Sequence, residues 1–210
     1  MTETAKNNNP TRMRILEKAE DLFAQRGYHG VSIREITAAA KCNMAAVNYH
    51  FTNKKNLYLE VFRHRWIPQE KRMYEQFLAS LPDKSDLTPT KIISALAQSY
   101  LKGPLTDEEL RRHRQLIVRE MNYPTEAFEE VAETTLRPLF ETLYDLLKPF
   151  KKNNKDGALT FDIMSIFGMV LYLNYSRPMV SQIVKKNYDD AFKALLIDHL
   201  VSFSLNGLGA

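Results

Sequence analysis

Hydrophobic residues recur at intervals of three and four along most of this chain, which is the spacing of one face of an α-helix. The first such run lies between Ile15 and Phe23, and Gly27 follows at a position where helices commonly end. No sustained run alternates with the two-residue period of a half-buried strand. The pattern therefore predicts an all-α protein of about nine helices.

A proline and two polar segments divide this helical pattern. We expect a kink or break at Pro68, because proline removes a hydrogen bond and disfavours helix at the residue before it. This break is the predicted boundary between an N-terminal domain, residues 1–65, and a C-terminal domain, residues 66–210. Residues 1–9 are polar and are predicted to form a disordered arm, and residues 151–157 a charged, mobile loop.

The last two predicted helices, at about residues 160–176 and 188–205, are unusually apolar. The first carries no charged residue between Asp162 and Arg177. A helix that is apolar on most faces must be buried, and its 14-residue apolar run is shorter than the ~20 residues of a membrane span. Burial against a second copy of the chain is the simplest arrangement, since homodimer interfaces resemble a core cut in half. A core within one chain is the alternative.

The segment from Ser32 to Leu57 has the pattern of two short helices joined by a tight connection. Ser32 and Glu35 have the spacing of a capping box, in which each residue bonds the backbone of the other. Asn43 is a favourable N-cap for the second helix. A helix this short must dock one side on its neighbours to be stable.

The second short helix, residues 44–51, has two contrasting sides. At roughly 100° per residue, Met44, Val47 and Phe51 fall on the side predicted to be docked. The opposite side holds small residues and aromatic hydrogen-bonding residues and no charge. Small side chains let a helix approach base edges in a major groove, and Tyr and His supply contacts to phosphates or bases. The residues predicted to face a DNA groove are Ala45, Ala46, Tyr49 and His50.

Two runs of sequence form a recognisable pattern: S-x-R-E-I-x-x-A-A at residues 32–40 and N-M-A-A-V-N-Y-H-F-x-N-K-x-N-L at residues 43–57. This pattern resembles the helix-turn-helix of TetR/AcrR transcriptional regulators. Three segments at residues 118–140, 165–180 and 198–208 resemble the C-terminal domain of the CecR-like subset. The resemblance implies a three-helix DNA-binding module followed by a helical bundle for effector binding and dimerisation. It also implies a homodimer through the last two helices and a palindromic double-stranded DNA operator.

The same resemblance assigns phosphate contacts to Ser32, Arg34 and Lys54. Arg12 and Arg14 are either further backbone contacts or solvated charges. One position departs from the family pattern: Lys41 stands where glycine is common in the turn. If this position needs a positive φ, lysine costs about 1 kcal/mol relative to glycine.

The distribution of charge agrees with a DNA-binding N-terminal module. Residues 1–65 hold 11 Lys/Arg and 6 Asp/Glu, whereas residues 66–210 hold 18 and 19. A localised basic excess is the pattern expected of a phosphate-binding surface, and unevenly spread surface charge is the alternative. A helical protein–protein adaptor without DNA binding is the alternative function, and the coincidence of basic charge with an uncharged helix side disfavours it.

Composition and motifs argue against several other classes. The sequence has no HExxH motif, paired cysteines, glycine-rich phosphate loop or G-x-S-x-G, so no enzyme, metal site or cofactor is predicted. His113 is read as part of an exposed basic face. The lone Cys42 and the absence of an apolar leader predict a cytoplasmic protein without a disulfide or a membrane span.

A small-molecule effector of unidentified chemistry is expected to act on the C-terminal domain, releasing a repressor by favouring one of two conformations. Ordinary core packing is the alternative for every candidate lining residue. Arg119 and Glu120, which lie among apolar residues, are read as a buried or interface pair. The candidate effector residues are Trp66, Tyr100, Met121, Asn122, Phe128 and Tyr172.

Overall fold

A computed structural model describes residues 9–151 and 157–208, and over those residues every regular element is helical. The all-α prediction is confirmed, with ten continuous helices where about nine were expected. The arm predicted over residues 1–9 and the loop predicted over residues 151–157 lie, apart from their ends, outside the described residues.

Ten helices and two 3₁₀ turns follow one another along the described chain. The α-helices are α1 (Pro10–Arg26), α2 (Ile33–Ala39), α3 (Met44–Phe51), α4 (54–79), α5 (Pro89–Leu101), α6 (Asp107–Asn122), α7 (126–147), α8 (Ala158–Tyr175), α9 (Arg177–Val184) and α10 (Asp190–Leu208). The 3₁₀ turns are Lys84–Asp86 and Lys148–Phe150.

The chain divides into two compact units. The first comprises residues 1–70 with 105–134, and the second comprises residues 71–104 with 135–210. Helices α1, α2, α3 and α6 belong to the first unit, and α5, α8, α9 and α10 to the second, while α4 and α7 contribute to both. The predicted domains, residues 1–65 and 66–210, stay predictions.

The predicted break at Pro68 is absent, because a widened turn replaces it. Helix α4 passes from Lys54–Val61 through the π-helical turn Phe62–Trp66 into Ile67–Ala79. The N–H of Ile67 bonds the carbonyl of Phe62, five residues back. This wider turn accommodates a proline, which lacks an N–H and would otherwise crowd the preceding turn.

Helix α7 meets its proline in the same way. The π-helical turn Ala132–Leu136 lies immediately before Arg137–Leu147, which has Pro138 at its start. Pro138 therefore does not end the helix. In both helices, the π turn begins six residues before the proline.

Two features near the C-terminus differ from the sequence prediction. The short helix α9 occupies residues that the pattern left unassigned, and it begins with Arg177-Pro178, where proline is favoured in a first turn. Helix α10 continues to Leu208, so the predicted end at about residue 205 is wrong. Tertiary packing can carry a helix past such a local signal.

Aromatic side chains form the core of the first unit. The ring of Tyr58 in α4 packs edge-on against Phe23 of α1 at 4.9 Å and against Tyr28 at 5.1 Å. The indole of Trp66 stacks on His113 of α6 at 4.3 Å and donates its N–H to the His113 carbonyl.

His113 is fully buried, so its assignment to an exposed basic face is wrong. Its ring nitrogens lie 3.1 Å from the side chains of Gln69 and Glu70, which satisfy the buried imidazole.

Helix α5 lies at the centre of the second unit and packs against α8 and α10. The ring of Phe167 in α8 meets Tyr100 and Phe140 edge-on, each at 5.4 Å. By length and composition α8 is a candidate membrane span, and a third of it is buried within the protein. One helix that passes this test is weak evidence for a span, because the core helix of a soluble protein also passes it.

Candidate nucleic-acid interface

The turn between α2 and α3 is a Schellman motif centred on Lys41. The Cys42 N–H bonds the Thr37 carbonyl at 3.0 Å, and the Lys41 N–H bonds the Ala38 carbonyl at 3.2 Å. These two bonds close the end of α2 and require a left-handed residue between them. Lys41 has φ of 49°, so the position does need the backbone conformation that glycine adopts without strain.

We expect Lys41→Gly to raise the free energy of unfolding by about 0.5–1 kcal/mol. Glycine removes the left-handed strain, and its greater freedom in the unfolded chain offsets part of the gain. Urea denaturation monitored by circular dichroism measures the change. Lys41→Ala, which keeps the Cβ, serves as the control and should leave the stability within about 0.5 kcal/mol. An equal gain from both variants would contradict the argument.

Helix α2 begins with the predicted capping box. The Ser32 hydroxyl accepts the Glu35 N–H at 3.3 Å, and the Ser32 N–H donates to the Glu35 carboxylate at 2.7 Å. Arg26 donates to the other carboxylate oxygen at 2.6 Å. The hydrogen bond from Arg26, followed by those from Ser32, lowers the pKa of Glu35 to about 2. Ser32 and Arg34 are exposed beside this cap.

Asn43 caps α3 through its side-chain oxygen, which accepts the Ala46 N–H at 3.0 Å. The docked side of α3 holds Val47 and Phe51, which are buried. Met44, predicted to dock beside them, is 47% exposed, so that part of the pattern is wrong.

The opposite side of α3 faces outward. Ala45 is exposed, Ala46 is half-buried and the Tyr49 side chain is 62% exposed. The half-buried His50 packs edge-on against the Tyr49 ring at 4.9 Å. The four residues predicted to face DNA thus share one accessible helix side, and their contact with bases stays a prediction.

A strained turn joins α3 to α4. Thr52 has φ of 69° and ψ of −50°, and the Asn53 N–H bonds the Phe51 carbonyl at 2.7 Å across it. This three-residue γ-turn is a costly conformation for a β-branched residue. It brings the chain directly to Asn53, whose side chain caps α4.

Lys54 lies in the first turn of α4, at the same accessible end of the unit. Its ammonium sits 4.4 Å from the centre of the Tyr28 ring. Partial burial lowers the pKa of Lys54, and the charge of Glu35 opposes that change. The sequence did not indicate the Tyr28 contact, because the two residues belong to different elements.

The two arginines at the start of α1 bond within the module, although the Arg14 side chain is also exposed. Arg12 is buried, bonds Glu60 of α4 and lies over the Phe51 ring at 5.3 Å. The Nε of Arg14 donates to the carbonyl of Ala40 at 2.6 Å. Both arginines hold the helices of the module together, which neither sequence interpretation anticipated.

Arg119 and Glu120 do not pair with each other. Arg119 donates to the carbonyls of Ala24 and Gln25 at the end of α1, at 3.1 and 2.5 Å. The buried Glu120 carboxylate accepts the Tyr58 hydroxyl at 2.6 Å. The two residues therefore attach α6 separately to α1 and to α4.

The predicted effector residues of the first unit lie in different surroundings. Trp66 is buried in the stack with His113 described above. Met121 and Asn122 are exposed at the end of α6, where Asn122 donates to the Val118 carbonyl at 2.7 Å. Phe128 is half-buried and lines a cleft in this unit.

Two predicted effector residues belong to the second unit. Tyr100 is buried against Phe167 in the core, and Tyr172 is 52% exposed on the outer side of α8. The assignment of all six residues to an effector stays a prediction.

The all-helical fold and the helix-turn-helix place this protein in the class of DNA-binding regulators. Residues 15–61 match the family described as bacterial regulatory proteins, tetR family, and residues 89–208 match the C-terminal domain of the HTH-type transcriptional dual regulator CecR. The chain belongs to the TetR family of transcriptional regulators, with a CecR-type C-terminal domain, as the resemblance predicted. Family members are regulators and not enzymes.

Individual relatives agree with this family. The chain is 25% identical to the HTH-type transcriptional regulator AcrR of Shigella flexneri over 82% of this chain and 78% of AcrR. It is 29% identical to the dual regulator CecR of Shigella flexneri over 60% of this chain and 59% of CecR. A crystal structure of a tetR-family regulatory protein from Rhodococcus RHA1 has a similar fold, with a TM-score of 0.70, 15% identity and coverage of 96% and 98%.

Proposed function

We propose that this protein is a dimeric, sequence-specific DNA-binding repressor that a small-molecule effector releases from a palindromic operator. TetR-family regulators are usually DNA-binding repressors. The observation that carries the proposal is the outward side of α3, which is small, aromatic and uncharged. We propose that the protein lies in the cytoplasm, that its partner is DNA and that it does not contact a membrane.

The DNA contacts divide into two kinds. Ala45 and Ala46 let the backbone of α3 approach base edges, and Tyr49 and His50 contact bases. Ser32, Arg34 and Lys54 contact phosphates, which position the module without reading sequence. Lys54 also lies at the N-terminus of α4, where the helix dipole favours a phosphate.

The dimer contact is proposed on α8 and α10. Phe161 and Met164 on α8 are 66% and 54% exposed, and Leu195 and Phe203 on α10 are 53% and 60% exposed. Exposed apolar side chains repeated along two helices are costly unless a partner covers them.

Gly168 supports the same contact. It lies within α8 on the exposed side, and apart from its chain neighbours and the backbone of the adjoining helix turns, no atom of the described residues lies within 4 Å of the position its Cβ would take. A glycine inside a helix costs about 1 kcal/mol, and packing within the chain does not explain it. A close approach by a second helix explains the glycine.

A two-fold dimer places its reading helices one DNA turn, ~34 Å, or a multiple apart.

Gel-shift titration of the chain's own upstream DNA, at several salt concentrations, tests the proposal. Lys54→Ala should weaken binding to all DNA by roughly three- to tenfold and reduce the salt dependence. Tyr49→Ala should weaken operator binding by about tenfold and also change the sequence preference. The exposed Lys102→Ala serves as the matched control for Lys54 and should leave binding unchanged.

Two results would contradict parts of this proposal. Unchanged binding by a Tyr49→Ala/His50→Ala double variant would remove the assigned base contacts. Binding to no DNA at any salt concentration would favour the adaptor alternative.

A further inference from the structure

The first unit contains a cleft of about 590 Å³ that the proposed DNA contacts do not use. Its walls come from three segments of that unit: the link after α1, the first turns of α4, and the start of α7. Tyr28, Tyr58 and Phe128 supply an aromatic side chain from each segment in turn. The volume lies in the range of sites that hold drug-sized ligands.

The aromatic lining is partly open to a ligand. Tyr28 and Phe128 are half-buried, while Tyr58 is buried and forms the floor. The Tyr58 hydroxyl is held by Glu120, so its ring cannot turn away from the cleft without breaking that bond. Aromatic ring faces attract cations, most strongly where water is partly excluded.

Three charged side chains line the same cleft: Lys55, Glu126 and Glu129. The Lys55 ammonium lies 2.6 Å from the Glu126 carboxylate, so these two charges largely cancel. Glu129, one turn further along α7, is exposed and adds a second carboxylate. The cleft therefore has aromatic walls, and its lining side chains carry one surplus negative charge beside the Lys54 ammonium at the Tyr28 ring.

We propose that this cleft is a binding site for a small planar organic cation. Such a ligand places its ring system against Tyr28 and Phe128 and its positive group beside Glu129. The aromatic walls favour a flat apolar body, and the surplus carboxylate favours a cation over an anion of the same shape.

The site lies next to a proposed phosphate contact, because the Tyr28 ring also holds the ammonium of Lys54. A cation bound against Tyr28 competes with Lys54 for the ring and repels it. This consequence for DNA binding rests on the proposed function, whereas the binding of the cation does not.

Fluorescence anisotropy of three pyrene probes, measured on the full chain without DNA, tests the site. The probes 1-pyrenemethylammonium, 1-pyrenemethanol and 1-pyrenecarboxylate share a planar body and differ in charge. We expect the ammonium probe to bind about tenfold more tightly than the carboxylate, with the neutral alcohol between them. Equal affinity for all three probes would overturn the proposed charge preference.

Two variants of the cleft should change binding in opposite directions. Glu129→Gln removes the surplus carboxylate and should weaken binding of the ammonium probe by roughly three- to tenfold. Lys55→Gln leaves Glu126 without its cation and should tighten binding of the same probe by a similar factor. Unfolding cannot produce a gain of affinity, so the pair remains interpretable.

Glu75→Gln, an exposed carboxylate of the second unit, is the matched control and should not change the affinity. If neither Glu129→Gln nor Lys55→Gln changes binding of the ammonium probe, the probe binds elsewhere and the proposal is wrong. A gel-shift with the ammonium probe then measures the effect on DNA. A chain that binds the probe but no DNA would contradict the proposed function and leave the cation site supported.

Discussion

Phe203→Glu is expected to convert the protein from a dimer to a monomer and to lower its affinity for the operator by at least about a thousandfold. The Phe203 side chain is 60% exposed on α10, in the apolar surface proposed to meet a second copy. A two-fold contact would bury two new carboxylates, each without a partner and each costing several kcal/mol. Every 1.4 kcal/mol is a factor of ten in the dimerisation constant.

Sedimentation equilibrium would show the change as a fall from twice the chain mass to the chain mass of 24.3 kDa. Tyr123→Glu is the matched control, because Tyr123 is 81% exposed in the first unit and should tolerate a charge. A Phe203→Glu protein that remains dimeric would place the dimer contact elsewhere. A wild-type chain that is monomeric at micromolar concentration would exclude the dimer altogether.

The sequence predicted the helix-turn-helix well because its signals are local. The caps at Ser32, Asn43 and Asn53 each bond a backbone N–H within three residues. Such bonds are fixed by residue type and spacing. The positive φ of Lys41 follows equally from the short turn. Local signals therefore defined the elements that carry the candidate site.

Long-range pairing accounts for what the sequence missed in the first unit. Arg12 is buried because its guanidinium forms an ion pair with Glu60, 48 residues away along the chain. His113 is buried because Glu70 forms a hydrogen bond with its ring and Trp66 stacks on it. The run of arginines around His113 gave the opposite indication, since periodicity records only one helix at a time.

Pro68 and Pro138 lie inside continuous helices for a different reason. In an ideal α-helix the proline ring clashes with the preceding turn. The π turns at Phe62–Trp66 and Ala132–Leu136 widen the backbone before each proline, so the helix continues. Residue preferences do not indicate where a helix will widen, because the choice depends on what packs around it.

Glu120→Leu should lower the free energy of unfolding by about 3 kcal/mol. The buried carboxylate accepts the Tyr58 hydroxyl at 2.6 Å and the N–H and hydroxyl of Thr125, each at 2.9 Å. Leucine leaves three buried or half-buried donors without an acceptor, each costing about 1–3 kcal/mol. Urea denaturation at fixed protein concentration measures the loss.

Glu120→Gln keeps an acceptor oxygen and should cost much less, roughly 1 kcal/mol. Tyr58→Phe then tests whether the hydroxyl acts through this carboxylate. In the wild-type chain its loss removes a hydrogen bond to a charged group, worth about 1.5–3 kcal/mol, and in the Glu120→Leu background it should cost almost nothing. Equal costs in both backgrounds would show that Tyr58 and Glu120 stabilise the protein independently. A coupled cost would show that the Tyr58 hydroxyl stabilises the protein through this carboxylate, which also accepts the bonds from Thr125 before the start of α7.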